Sequence, residues 1–286
     1  MSQVKRTLVH DSKPVSQSAI LSFNIPSFET IDDVILQFTN NGAPASLTNI
    51  KSSIGKIALS INGQQVVNAP ITEIFAVYES LGNEVSQNLS NCVGLNIGRY
   101  LFKDAVTEDF FAWGCKDVQT IQLQVYVNAT VTDVTDLEIS TVRRNVTANL
   151  GSFIKIITYP QTMASTGIST VDTLPRDTNE AYLSILAFNG GGVIAGGECV
   201  VNGNNIMDNI TQALNDYIVS ARGLGKVNGV FNYTFSDGSI KGILPMVGVT
   251  ELRLKTDFST APNGTYDLCA VSIRNVPTAM LNAVAS

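Results

Sequence analysis

Apolar and polar residues alternate with a period of two along most of this chain, the signature of strands with one face buried. The alternation recurs over Ala19–Ile25, Asp33–Thr39, Lys56–Ile61, Thr120–Val127, Phe153–Thr158, Tyr182–Phe188, Val230–Phe235 and Glu251–Lys255. Turn dipeptides punctuate these runs: Asn41-Gly42, Asn62-Gly63, Asn202-Gly203, Asn228-Gly229, Asp237-Gly238 and Asn263-Gly264. Asn-Gly and Asp-Gly accept the positive φ angles that a type I′ hairpin demands. Such a chain folds as an antiparallel, all-β protein.

Helical spacing, with apolar residues at i, i+3 or i+4 and i+7, is confined to Ile71–Leu81 and Ile210–Ser220. A weaker candidate around Val93–Lys103 contains Gly94 and Gly98. The two clear helices expose a repeat. The first follows Ile61-Asn62-Gly63-Gln64-Gln65-Val66 and the second Val201-Asn202-Gly203-Asn204-Asn205-Ile206; both open Ile-Thr and contain a tyrosine. Asn62 and Asn202 are 140 residues apart, and Tyr78 and Tyr217 are 139 apart. Upstream, Ile35-Leu36-Gln37-Phe38 matches Ile185-Leu186-Ala187-Phe188. Downstream, Val118–Leu123 matches Val249–Leu254, and Arg144-Asn145-Val146 matches Arg274-Asn275-Val276.

Matched blocks in one order indicate an internal duplication, and 286 residues suit two domains. The junction falls near Val146–Gly151, giving a first domain over residues 1–148 with an N-terminal arm and a second over 149–286 with a C-terminal tail. Each copy holds about eight strand candidates and one helix, the pattern of an eight-stranded antiparallel jelly roll. An immunoglobulin-type sandwich needs its own cysteine and tryptophan placement, and Trp113 does not sit between suitably spaced cysteines. The expected fold is therefore two tandem jelly rolls with short inserted helices.

Charged residues make up only 15% of the chain, against ~25% in ordinary soluble proteins. Much of the polar surface is thus uncharged, as suits broad faces that end against another subunit, and equally a secreted β-protein. The net charge of −6, with no cluster of Lys and Arg, argues against direct nucleic-acid binding. Four scattered cysteines, Cys92, Cys115, Cys199 and Cys269, read as buried or reduced thiols rather than a disulfide framework. The N-terminus shows no apolar signal region and no stretch reaches membrane-spanning length, so synthesis in a cytosol and a soluble product are expected. The Asn-x-Ser/Thr triplets then read as chance in an Asn- and Thr-rich chain.

Chemistry is sparse. His10 is the single histidine and lies in the N-terminal segment, too little for a nucleophile triad or a histidine-rich metal site. No P-loop, dinucleotide or zinc spacing occurs, and Gly190-Gly191-Gly192 with Gly196-Gly197 reads as an inter-strand loop. Glycoside hydrolysis needs only two carboxylates, for which Asp104, Glu108 and Asp109, or Asp133, Asp136 and Glu138, are candidates. Phe110-Phe111 and Trp113 beside the first cluster read as core of the first domain. Asp133, Asp136 and Glu138 are also the candidates for a structural Ca²⁺, although no D-x-D-x-D-G loop accompanies them. No catalytic or cofactor-binding residue is assigned.

Tandem jelly rolls without a catalytic set resemble the double jelly-roll major capsid proteins of tailless, membrane-containing viruses, and the corticovirus-like bacteriophages in particular. Most of the likeness lies in Leu174-Pro175-Arg176, the strand Tyr182–Phe188, Val201-Asn202-Gly203, Asp216-Tyr217-Ile218 and Leu252-Arg253-Leu254-Lys255. The resemblance implies a non-enzymatic homotrimer whose six jelly rolls form a pseudo-hexagonal capsomer. Such capsomers tile an icosahedral virion shell over an internal lipid membrane, with penton (vertex) and viral membrane proteins as further partners and synthesis in the host cytoplasm. On that reading the terminal segments Met1–Gln17 and Val276–Ser286, which show little strand pattern, are arms beneath the shell. Lys5, Arg6 and Lys13 would then face anionic headgroups. The alternative is a carbohydrate-binding, lectin-like or viral spike module, which needs exposed aromatic residues that one Trp and scattered Tyr residues supply poorly.

Overall fold

The computed structural model describes residues 5–81, 91–98, 111–235 and 242–276. Two compact units divide the chain between Ile156 and Ile157, except that the short stretch from Glu79 goes with the second. The first contains β1 (Lys5–Pro14), β2 (Ile20–Asn24), β3 (Thr30–Asn40), β4 (Ala43–Pro44), α1 (Leu47–Ser53), β5 (Ile54–Ile61), β6 (Gln64–Pro70), α2 (Ile71–Ser80), β7 (Cys92–Gly94), β8 (Ile121–Val127) and β9 (Asp136–Arg144). From β10 (Phe153–Met163) the chain runs through β11 (Gly167–Val171), β12 (Glu180–Phe188), β13 (Val193–Val201), β14 (Asn204–Thr211), α3 (Gln212–Ala221), β15 (Val230–Thr234), β16 (Leu244–Pro245), β17 (Leu252–Thr260) and β18 (Gly264–Arg274).

Strand order identifies the fold. In the first unit β1-β9-β3-β7 form one antiparallel sheet and β2-β8-β5-β6 the other; in the second the orders are β10-β18-β12-β15 and β11-β17-β13-β14. Numbering the eight main strands of each unit from one, both read 1-8-3-6 and 2-7-4-5, the jelly-roll arrangement. β4 and β16 are short additions paired with β3 and β12. Every block matched in sequence falls on sibling strands: Ile35 and Ile185 on β3 and β12, Leu123 and Leu254 on β8 and β17, Arg144 and Arg274 on β9 and β18.

The turn chemistry is local and legible. Asn41-Gly42, Asn62-Gly63 and Asn202-Gly203 have both residues at positive φ, between 49° and 81°, and join β3 to β4, β5 to β6 and β13 to β14. At Asn228-Gly229 and Asn263-Gly264 only the glycine is left-handed; the second links β17 to β18, which lie in different sheets. Asp237-Gly238 lies outside the described residues.

Strands that face solvent on one side alternate as expected, β8 being buried at Ile121, Leu123, Val125 and Val127. Strands β3 and β12 do not: β12 is buried at every residue from Glu180 to Ala187. Its run Ala181-Tyr182-Leu183-Ser184-Ile185-Leu186-Ala187 is almost continuously apolar, which is how a strand covered on both faces reads. In the second unit Tyr182, Ile185, Phe231 and Leu268 from one sheet pack with Cys199, Leu252, Leu254 and Phe258 from the other. Each such side chain contributes about 1.5–3 kcal/mol on burial. Two phenols bond across this core: Tyr233 Oη donates to Lys255 O at 2.7 Å, and Tyr266 Oη to Ser169 Oγ at 2.8 Å.

Several sequence expectations are corrected. The N-terminal segment is not an arm: Lys5–Pro14 is a ten-residue strand paired antiparallel with β9. Its Thr, Leu and Val residues suit a strand, but Lys, Asp and Pro interrupt the alternation. Gly196 and Gly197 are not loop residues; they lie inside β13, where a Cβ at Gly197 would stand 2.7 Å from both the Phe231 ring and Tyr233 Oη. The weak helix candidate begins as strand β7, and its residues 99–103 lie outside the described part. The second helix starts two residues late, because Thr211 caps it by accepting from Leu214 N at 3.3 Å while Ile210 stays in β14.

Candidate functional site

The basic residues of the N-terminal segment are placed by β1. Lys5 sits opposite Arg144 and Arg6 opposite Arg143. Arg6 Nη2 bonds Glu29 Oε1 at 2.7 Å, Lys5 Nζ lies 3.8 Å from Asp32 Oδ2, and Lys13 Nζ lies 3.7 Å from Asp11 Oδ2 and 4.8 Å above the Phe23 ring. All three therefore have partners within the chain, while remaining a third to a half exposed.

Behind them lies a buried charge cluster on β9. Arg144 Nε is 2.6 Å from Asp32 Oδ1, with both side chains almost wholly buried. The Arg143 guanidinium donates to Thr141 Oγ1 at 2.8 Å and to Pro26 O at 2.5 Å, under the Phe28 ring. His10 Nε2 is 2.5 Å from Thr141 Oγ1. Burial lowers the His10 pKa, and the Arg143 charge lowers it further. Nothing in the local sequence pattern marks either His10 or Arg143 as partnered.

The carboxylate candidates do not converge. Asp133 occupies an exposed left-handed turn and accepts from Asn49 Nδ2 at 3.4 Å. Asp136 opens β9 and accepts from Thr135 Oγ1 at 2.7 Å, and Glu138 stands farther along, opposite Ser12 and Gln37. Asp104, Glu108 and Asp109 lie outside the described residues. Among the described residues no three His, Cys, Asp or Glu side chains are grouped to hold a metal ion. Cys115, Cys199 and Cys269 are buried and Cys92 half-buried; burial pushes the Cys115 thiol up to about 11 and Cys199 to about 12. These thiols are packing groups rather than nucleophiles. Phe111 and Trp113 are wholly buried, as expected of core, with Trp113 bridged to Ile31.

What distinguishes the surface is a difference between siblings. Helix α2 is buried at Ile71, Glu73, Ile74, Phe75, Val77 and Tyr78, and Tyr78 Oη donates to Gly94 O. Helix α3 follows the sibling hairpin but buries only Asn215 and Val219. Leu214 is 46% exposed and Tyr217 70%. The preceding strands differ likewise: β6 buries Val66, Val67 and Ala69, whereas β14 has no fully buried residue and leaves Ile206 48% exposed. Among the described residues no helix is long and apolar enough to cross a membrane.

Residues 153–275 match the family model described as viral coat protein P2 C-terminal domain. No curated protein is similar to the chain in sequence. Among solved structures, the major capsid protein P2 from bacteriophage PM2 aligns with a TM-score of 0.80 at 14% identity, over 96% of this chain and 99% of that one. A chain of the Sulfolobus Turreted Icosahedral Virus structure aligns at 0.70 and 14% identity, over 98% and 96%. The Faustovirus major capsid protein aligns at 0.62 and 7% identity, over 96% and 90%. At these identities the structural likeness speaks for the fold, and the family match speaks for the second unit. The chain thus has the double jelly-roll fold shared by these viral capsid structures, and its second unit matches the model of the viral coat protein P2 C-terminal domain.

Proposed function

We propose that this chain is a major capsid protein and works as a homotrimer whose six jelly rolls form a pseudo-hexagonal capsomer, built from duplicated domains spanning residues 1–148 and 149–286. Such capsomers would tile an icosahedral shell over an internal membrane, with a separate vertex protein and viral membrane proteins completing the particle. One observation carries this reading: both units repeat the same strand order in both sheets. Three copies of a chain with two like domains approximate sixfold symmetry, so a single gene product tiles hexagonally. The low charge fraction of 15% fits faces that end up against neighbours.

The mass of the native protein in solution tests it. A stable oligomer of three chains that forms hexagonal arrays on concentration is expected. A monomer at all concentrations, or a dimer, contradicts the proposal.

A further inference from the structure

Asn-Gly dipeptides serve the turns of this fold, but they are also chemically labile. Glycine has no Cβ to crowd its backbone nitrogen, so that nitrogen can reach the carboxamide of the preceding asparagine and expel ammonia. The reaction needs an asparagine side chain free to turn and a glycine N–H open to base. The structure meets these two conditions very unevenly.

In the sibling hairpins the side chain is tied down. Asn62 Oδ1 accepts from Gln119 N at 2.8 Å and from Thr120 N at 3.2 Å, while its Nδ2 donates to Asp117 O at 3.2 Å. Asn202 Oδ1 accepts from Thr250 N at 2.8 Å and from Glu251 N at 3.1 Å, and its Nδ2 donates to Gly248 O at 3.0 Å. The attacking group is also engaged there, Gly203 N donating to Glu251 Oε2 at 3.1 Å. Asn41 and Asn189 each have a single side-chain bond, to Asn40 Oδ1 and from Gly191 N, and the amide of Asn263 packs on Gly191. Asn228 stands apart. It is exposed, and among the described residues its side chain has no hydrogen-bond partner and nothing accepts from Gly229 N. Its turn is closed by a long bond, Val230 N to Val227 O at 3.3 Å.

We propose that Asn228 is a site of spontaneous deamidation in the folded protein, and that their hydrogen bonds keep Asn62 and Asn202 intact. Base removes the Gly229 amide proton and the nitrogen attacks Asn228 Cγ. The N–Cγ bond forms, the Cγ–Nδ2 bond breaks, and Nδ2 leaves with a proton as ammonia. Water then opens the cyclic imide at either carbonyl, giving aspartate or isoaspartate. The turn that enters β15 thereby gains a negative charge and, in the isoaspartate form, an extra backbone methylene.

Peptide mapping by mass spectrometry, with enzymatic labelling of isoaspartate, tests this on the full chain held at mildly alkaline pH, folded and in urea. Asn228 is expected to react in the folded protein within about threefold of its rate in urea, whereas Asn62 and Asn202, which must first open, should be slowed at least about tenfold by folding. Asn228→Ser should remove more than half of the isoaspartate formed in the folded protein. Equal rates at the three sites in the folded protein would overturn the proposal. So would an Asn228 that reacts in urea but stays intact when folded, or an isoaspartate yield unchanged in Asn228→Ser.

Discussion

Arg144 Nε stands 2.6 Å from Asp32 Oδ1 in a nearly dry setting, and its sibling Arg274 Nη1 stands 3.3 Å from Glu180 Oε1. The Arg-Asn-Val block repeated in the sequence thus closes the last strand of each jelly roll with a guanidinium on a carboxylate. Arg274 also meets the half-exposed Asp177.

Removing Asp32's charge takes from the buried Arg144 guanidinium the carboxylate that stands 2.6 Å from its Nε. Asp32→Asn is expected to destabilise the protein by about 3–5 kcal/mol in urea unfolding. Glu180→Gln, where Arg274 keeps Asp177, is expected to cost less, about 1.5–3 kcal/mol. Replacing both members of the first pair, Asp32→Leu with Arg144→Met, should recover part of the loss, because well-packed apolar groups often substitute for a buried pair. Equal and additive losses would contradict this account.

Gly197 and Gly203 require glycine for different reasons. At Gly197 the backbone is ordinary, but a Cβ would meet the Phe231 ring and Tyr233 Oη. Gly197→Ala must push apart two rings whose centroids are 4.8 Å apart, and is expected to cost about 1–3 kcal/mol. At Gly203, with φ +77° and open space around it, the demand is conformational. Gly203→Asn, which accepts that geometry, should cost less than about 1 kcal/mol. Urea unfolding of both variants separates crowding from backbone strain.

Buried phenols make the fold sensitive to alkali. Burial pushes Tyr159 up to about 12, with Glu180 and Cys269 adding to the rise, and raises Tyr182 and Tyr233 as well. In the unfolded chain these groups ionise near 10. Their contribution to stability is therefore complete below pH 10 and is lost as pH climbs toward and past 12. Tyrosinate absorbance from them should appear only together with loss of the β-sheet circular dichroism signal. A single titration of all tyrosines near 10 in the still-folded protein would contradict their placement.

His10 gives the opposite sign at the acid end. Its folded pKa lies below the ordinary value of 6.5, so below that pH the unfolded chain binds more protons and stability falls as pH drops. His10→Gln should flatten this part of the unfolding-midpoint profile between the two pKa values. An unchanged slope would show that His10 is not held against Thr141 and Arg143.

Period-two alternation and Asn-Gly turns made the β-class and most strands legible, and apolar spacing at i, i+3 or i+4 and i+7 both main helices, because those signals are local. The duplication was legible because its blocks recur in order. β1 was not, since an edge strand carrying lysines, an aspartate and a proline reads as a tail. Nor was α1 (Leu47–Ser53), too short to show a helical period although Ser46 caps it. The contrast between Tyr78 and Tyr217 is half-legible. ITEIFAVYES is apolar nearly all round, as a buried helix must be, while Asn215 and Asp216 break that pattern in α3. The Arg143–Thr141–His10 contact depends on pairing residues 131 positions apart, which no local pattern reports.

Imaging the isolated native oligomer by electron cryo-microscopy tests most directly whether one chain with two like jelly rolls builds the proposed capsomer of near-sixfold shape. The account predicts a threefold particle with six lobes of like size arranged as a hexagon. A particle with two lobes, or an oligomer whose lobes do not number six around the axis, would contradict it.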